Sequence, residues 1–411
     1  MACRASIRIK PDQQWRLPGW TEALVPSAVQ EMLQAASGSD FVSFALGLPA
    51  PEFLPNAACI TASRWILEST ADALQYCPPL DALKERIVGL MRRRGLECQK
   101  QQIVITTGAQ QALNLLCRLL IERGAPILVE EALYPGFRQA AEGCEARFVP
   151  VPSDPKTGID VDAVRRLLAG GLQPALIYIN GGAQNPMGIS LNAEKKFALA
   201  ELAARYQMPI IEDDAYGLLN FDDQPAPPVR TIDDQIACYV GSLSKILAPA
   251  LRIGWIIAPE WATPKLATLK EGTDLDTCTL SQRIASRLFD IVDVNAQIDK
   301  LISAYRRRRD AMLQALEQEF GQFGKWERSN GGMFVWVRLA DGMDTGKLLR
   351  DAIARERIAF LPGQAFSVSD EASLKNCLRL TYSNLAPDRI QEGIHRLAVL
   401  VKSHQKCGCR I

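Results

Sequence analysis

The sequence predicts an α/β fold built on a mostly parallel, doubly wound sheet, followed by a smaller α+β unit. Three observations carry this. Seven short β-branched or apolar runs recur between residues 102 and 259; segments with helical spacing separate several of them; beyond about residue 266 the pattern turns helical before short strands return. Strands buried on both faces read as continuous apolar runs, so such runs spaced by helices imply a sheet covered on both sides.

In order, "QIVIT" (102–106) leads through Thr107-Gly108 into "AQQALNLLCRLLIERG", a predicted helix ending at Gly124. The next strands are "PILVE" (126–130), "ARFVPV" (146–151), "ALIYI" (175–179), "MPIIED" (208–213), "ACYVGS" (237–242) and "RIGWIIAP" (252–259), with "AEKKFALAELAARYQ" (193–207) a helix among them. A long helical stretch, "NAQIDKLISAYRRRRDAMLQALEQEF", precedes strands "GGMFVWVRL" (331–339), "IAFLPG" (358–363) and "CLRLTYS" (377–383). "PDRIQEGIHRLAVLVKSH" reads as a closing helix. The division expected is a large domain over 61–295 and a small α+β domain over 296–411, with 1–60 contributing to the small domain.

Composition excludes several function classes. Of 411 residues, 48% are apolar and 23% charged, an ordinary globular balance, and the net charge of +1 makes no electrostatic case for nucleic acid. "MRRRG" (91–95) and "YRRRRD" (305–310) read as solvated faces. No apolar run is long enough for a membrane span, and the first residues lack an apolar signal core. Eleven scattered cysteines suit free thiols in a cytoplasmic protein. His404, Cys407 and Cys409 lack a fourth ligand and a finger context, so no metal is expected. With only His395 and His404 present, the chemistry must rest on lysine, carboxylate, tyrosine or a cofactor.

The residues with chemistry sit where predicted strands end, where open α/β sheets bind ligands. "TTGAQQAL" (106–113) sets a glycine turn at a helix start, where free amides and the helix dipole favour an anion. "IEDDAYGLL" (211–219) ends a strand in three acids, and Asp213 and Tyr216 could converge on one ligand. "GGAQNPMG" (181–188) offers Asn185 in a tight turn. In "GSLSKILAPALRIGW" (241–255), Lys245 and Arg252 stand among apolar residues beside Ser242 and Ser244. Charges in such surroundings need partners.

With "VPSAVQEML", "FVSFALGLPAPEFLP", "VEEALYPG" and "LRLTYSN", these motifs resemble, in order, the fold-type I pyridoxal-phosphate enzymes. The class I/II aminotransferases are the most similar, in the branch holding 2-aminoadipate aminotransferase and the catalytic domain of MocR-type regulators. The likeness runs from about residue 22 to 400. It implies a seven-stranded, mostly parallel large-domain sheet and a cytoplasmic homodimer with shared active sites, 1–60 adding dimer contacts.

The resemblance also implies roles. Lys245 would form an imine with pyridoxal 5'-phosphate and later shuttle the proton. Arg252, Ser242, Ser244 and the amides of Gly108, Ala109 and Gln110 would hold its phosphate. Asp213 would pair with the pyridine nitrogen, Asn185 and Tyr216 with the ring hydroxylate, and Tyr134 would stack on the ring. Tyr76 would reach the neighbouring subunit's phosphate. Arg379, with Asn185 and Gly47 beside it, would clamp the substrate carboxylate.

Departures from the pattern fall around the expected substrate. Leu46 replaces a glycine, Ala109 a hydroxyl residue worth about 1–2 kcal/mol of phosphate bonding, and Met187 a threonine. "INGGA" before Asn185 lacks a proline and an aromatic, and Gln30 stands where relatives using dicarboxylates can carry arginine. The leading expectation is an aminotransferase moving the amino group of a neutral or apolar α-amino acid to a 2-oxo acid. A lyase or cyclase resembling aminocyclopropane-carboxylate synthase, a decarboxylase or an oxidative deaminase on the same scaffold is the alternative. A DNA-bound ligand sensor is a third reading, disfavoured because only about twenty residues precede the matching region.

Overall fold

The computed structural model describes residues 19, 21, 41–221, 225–369 and 374–408, with side chains to 405. Gln30, the "VPSAVQEML" motif and the Cys407 and Cys409 side chains lie outside the described residues.

The first described elements are strand β1 (Val42–Ser43) and helices α1 (Asn56–Ser69) and α2 (Asp81–Arg93). Strand β2 (Ile103–Thr106) and helix α3 (Ala109–Leu120) follow, then β3 (Pro126–Glu130), α4 (Pro135–Glu142) and β4 (Arg147–Val151). A hairpin, β5 (Ser153–Asp154) with β6 (Gly158–Ile159), precedes α5 (Val161–Ala169), β7 (Leu176–Asn180), α6 (Ala193–Tyr206), β8 (Ile210–Asp213), β9 (Ala237–Ser242) and β10 (Gly254–Ile257).

The seven predicted runs are the seven strands of one sheet, ordered β2-β10-β9-β8-β7-β3-β4. Pairing is parallel from β9 to β4, whereas β10 runs antiparallel to both neighbours. Strands β2, β7, β8, β9 and β10 are buried along their whole length, as helices on both faces require. Helix starts are local chemistry: Asp160 and Asn192 each accept a backbone N–H of the first turn. Helix α3 ends at Leu120, four residues short of the expected Gly124. Ile121 is buried in extended backbone, and Gly124 at φ +76° turns the chain into β3.

The chain continues through α7 (Thr263–Asp274), α8 (Thr279–Ile291) and the 27-residue α9 (Val294–Phe320). Strands β11 (Gly324–Trp326) and β12 (Phe334–Leu339) then precede α10 (Thr345–Asp351), β13 (Ile358–Ala359), β14 (Leu361–Pro362), β15 (Cys377–Thr381) and α11 (Pro387–Gly408). The second sheet is antiparallel, ordered β11-β12-β15-β14; helices α9 and α11 pack on each other, and β13 pairs in parallel with β1. The reading missed β1, β11 and the β5–β6 hairpin, pieces of two or three residues that offer too few positions for a periodicity.

The two arginine runs are solvated only in part, with Arg92, Arg93, Arg306 and Arg307 exposed and the rest turned inward. Arg94 is buried against Asp214 at 2.6 Å, and Arg308 and Arg309 are buried on the inner side of α9. Helical periodicity explains the second case, since Tyr305, Arg308, Arg309 and Met312 share one face. His395 lies on the face of α11 beside Glu319. Among the described residues no helix is long and apolar enough to cross a membrane.

Candidate active site

A cavity of about 270 Å3 opens at the carboxyl ends of the parallel strands, between the large sheet and β12–β15. Lys245, Asn185, Tyr216, Arg379, Tyr134, Gln110 and the Gly47 backbone all line it.

Lys245 closes the turn after β9, half-buried, its Nζ donating to the Gly47 carbonyl at 2.8 Å. Burial draws its pKa down to about 8; Arg379 and Arg252 push the same way and Asp213 opposes them. Asp213, at the end of β8, is 5% exposed, and burial pushes its carboxyl up to about 6. The Tyr178 hydroxyl donates to its Oδ2 at 2.9 Å and the Ala215 N–H to its Oδ1 at 3.4 Å. Both donors are neutral.

Glu212 and Asp214 behave otherwise. Glu212 meets Lys196 at 2.8 Å, and Asp214 meets Arg94 and the Tyr239 hydroxyl. The glycines of "INGGA" serve these carboxylates: a Cβ on Gly181 would fall 1.9 Å from Glu212 Oε1, and one on Gly182 2.7 Å from Asp214 Oδ1. This corrects the reading of that segment as an altered pocket wall. Met187 likewise borders a separate cavity with Trp326 and Trp336, whereas Leu46 does line the Lys245 cavity.

Arg379, from β15, donates to Asn185 Oδ1 at 2.7 Å and to the Ala45 carbonyl. Its guanidinium lies 4.2 Å from the Phe334 ring centre, and burial lowers its pKa to about 10 against the pull of Tyr216 and Tyr134. Tyr216 meets Phe334 edge-on at 5.4 Å, and a Cβ on Gly47 would strike that phenyl ring at 2.6 Å. Burial holds both Tyr216 and Tyr134 protonated, Tyr134 being pushed up to about 12.

Beside Lys245 the groups expected to hold a phosphate gather. Gly108 precedes α3 at φ +78°, no side chain caps that helix end, and a Cβ there would fall 2.4 Å from Arg252 Nη2. Arg252 is exposed, 3.5 Å from Ser244 Oγ, with Ser242 and Ser244 bonded to each other at 3.0 Å. Ala109 opens the helix, and Gln110 is tied to the Gly136 carbonyl at 2.6 Å. Tyr76 is not brought to this cavity; it is 83% exposed and borders another one with Leu275 and Cys278.

Sequence reasoning missed Tyr178, Asn180 and Phe334. The only signal for Tyr178 was a lone hydroxyl in the aliphatic run "ALIYI".

The sequence model of the family described as aminotransferase class I and II matches residues 51–397. The chain is 37% identical over 389 residues to aromatic-amino-acid aminotransferase 1 of Thermococcus litoralis, covering 92% of each. It is 32% identical over 400 residues to 2-aminoadipate transaminase of Thermus thermophilus, covering 93% of this chain and 97% of that one. The solved multiple substrate aminotransferase of Thermococcus profundus superposes with a TM-score of 0.87 at 34% identity, over 95% of this chain and 98% of its own. Strand order, cavity and family match agree: the chain belongs to the class I and II aminotransferases, enzymes that transfer amino groups with pyridoxal 5'-phosphate as cofactor.

Proposed function

We propose that this aminotransferase moves the amino group of a neutral or apolar α-amino acid to a 2-oxo acid, with Lys245 as the residue that joins the cofactor. One observation carries the assignment of the site. Lys245 and Arg379 line one cavity and Asp213 lies close enough to Lys245 to act on its charge, yet none of the three finds an opposite charge at bonding distance among the described residues. Burying such groups costs several kcal/mol each unless a ligand completes them.

The residues fit the cofactor. Arg252, Ser244 and the uncapped start of α3 form an anion cradle, and Asp213 offers a carboxylate to a protonated ring nitrogen. Asn185 spends its Oδ1 on Arg379, which leaves its amide N–H groups for the ring oxygen beside the Tyr216 hydroxyl. Tyr134 supplies a face for the ring. When bound, pyridoxal 5'-phosphate supplies an aldehyde that captures amines and a ring that accepts electrons released at the substrate Cα. Arg379 holds the substrate carboxylate in its planar fork and so orients the Cα–H bond. Lys245 Nζ, depressed in basicity, would be the base that takes that proton.

The substrate class follows from the wall. Leu46, Leu48 and Phe334 are apolar, and the two cations lining the cavity already have assigned partners. Relatives named for aromatic amino acids and for multiple substrates support this reading, and among the described lining residues no cation besides Lys245 and Arg379 stands ready for a second substrate carboxylate. Tyr76, exposed beside Leu74 and Leu275, supports a homodimer in which it completes the partner's site.

The test is a panel of amino acids given with and without 2-oxoglutarate, with products read by mass. Neutral and aromatic donors should yield their 2-oxo acids in step with glutamate, and beyond one equivalent per site only with the acceptor present. Ammonia or a cyclised product formed without acceptor would replace transfer by elimination or ring closure.

A further inference from the structure

Strand β7 ends in a donor chain that the reading above does not use. Asn180 Nδ2 donates to Tyr178 Oη at 3.0 Å and to the Asp213 carbonyl at 3.3 Å, and Tyr178 Oη donates to Asp213 Oδ2 at 2.9 Å. The Phe137 ring lies nearly flat on the Tyr178 ring, centres 3.7 Å apart and planes 12° apart. All three polar residues are buried.

The direction of this chain is dictated by chemistry. A phenol has one proton, and an amide nitrogen can only donate. The Tyr178 oxygen therefore accepts from Asn180, and its single proton has nowhere to go but Asp213. Both hydrogens of the Asn180 amide are used, so the amide cannot rotate without losing one bond. The Phe137 stack removes the swing of the Tyr178 ring.

We propose that Tyr178, oriented by Asn180, is a positioning residue for the amino-transfer reaction, holding the Asp213 carboxylate aimed and charged toward the cofactor's ring nitrogen. This rests on the reading of Asp213 as the partner of that nitrogen. The groups around Asp213 are Tyr178 and Asn180 from β7, Asp214 beside it, Tyr134 at the start of α4, Tyr216 in the following turn and Lys245 after β9. Burial holds the Tyr178 proton in place far above neutrality, so it donates at every working pH. Burial raises the Asp213 carboxyl while the Tyr178 bond lowers it; without that bond the carboxylate forms only at higher pH.

The experiment is the dissociation constant of pyridoxal 5'-phosphate from the full chain, followed by absorbance across the neutral pH range. Wild type is compared with Tyr178→Phe, Asn180→Ala and Asp213→Asn. Tyr178→Phe should bind about tenfold more weakly near the acid end and converge on wild type at the alkaline end, the acid limb moving up by about one pH unit. Asn180→Ala should move it the same way by less, and Asp213→Asn should bind weakly at every pH. If Tyr178→Phe and Asn180→Ala overlay wild type while Asp213→Asn stays weak, the donor chain has no such role. A pH-independent weakening of Tyr178→Phe would mark a packing role and overturn the proposal equally. Wild-type binding by Asp213→Asn would instead remove the Asp213 reading itself. Should Tyr178→Phe not fold, the Asn180→Ala profile decides.

Discussion

Three consecutive acids end strand β8, and they lead opposite lives. Glu212 and Asp214 turn into the protein and each meets a cation, Lys196 and Arg94, in pairs with almost no exposure. Asp213 lies behind the cavity near Lys245 and accepts hydrogen bonds only from neutral donors. The cations divide the same way. Lys196 and Arg94 have carboxylates, whereas Lys245 and Arg379 have carbonyl and amide oxygens.

The difference separates charge kept for structure from charge kept for a ligand. A buried pair closed within the protein is costly to break but asks for nothing more. A buried charge without its opposite is strained until something arrives, and shifted pKa values mark such places. The proposed complements are a cationic ring nitrogen for Asp213 and a substrate carboxylate for Arg379.

Substitutions test the contrast from the largest effect downward. Lys245→Ala should reduce turnover by on the order of a thousandfold or more, read as 2-oxo acid formed per enzyme, because the nucleophile and the proton carrier are one group. The acids should then separate. Glu212→Gln and Asp214→Asn should each lower unfolding free energy by about 3–5 kcal/mol, since each strands a buried cation. Asp213→Asn should do the reverse in cofactor-free protein, adding about 2 kcal/mol in denaturant unfolding above pH 6. The sign follows from the raised carboxyl: the folded state keeps a proton that the unfolded chain has lost, so wild-type stability falls as pH rises through that interval. The gain should therefore fade as pH drops toward the ordinary carboxylate range. Equal destabilisation by all three substitutions would erase the distinction.

Smaller effects sharpen it. Arg379→Lys should raise KM for amino acid and 2-oxo acid together by roughly tenfold to a hundredfold, with less change in kcat, because a point charge replaces a two-toothed fork. Leu46→Gly should shift kcat/KM toward bulkier apolar donors by less than about tenfold, the scale of a few methylene contacts.

Much of this was legible in the chain. The seven strands announce themselves because burial on both faces leaves uninterrupted aliphatic runs such as "PILVE" and "ALIYI". The residues that meet at the cavity stand at the ends of those runs, so strand order in the chain brought most of them into view. What stayed hidden depends on which way a side chain turns. Nothing in "IEDD" says that the outer two acids face cations some 16 and 120 positions away in sequence. Nothing in "INGGA" says that two glycines clear room for those carboxylates. Nothing in "ALIYI" says that the Tyr178 hydroxyl reaches Asp213, 35 positions on.

The central claim is that Lys245 is the amine that takes the cofactor, and it can be read covalently. Pyridoxal 5'-phosphate bound to the protein is fixed with borohydride, the chain is digested, and the modified peptide is found by mass. The account predicts one reduced adduct, on Lys245. An adduct on another lysine, or none while the cofactor is bound, would contradict it.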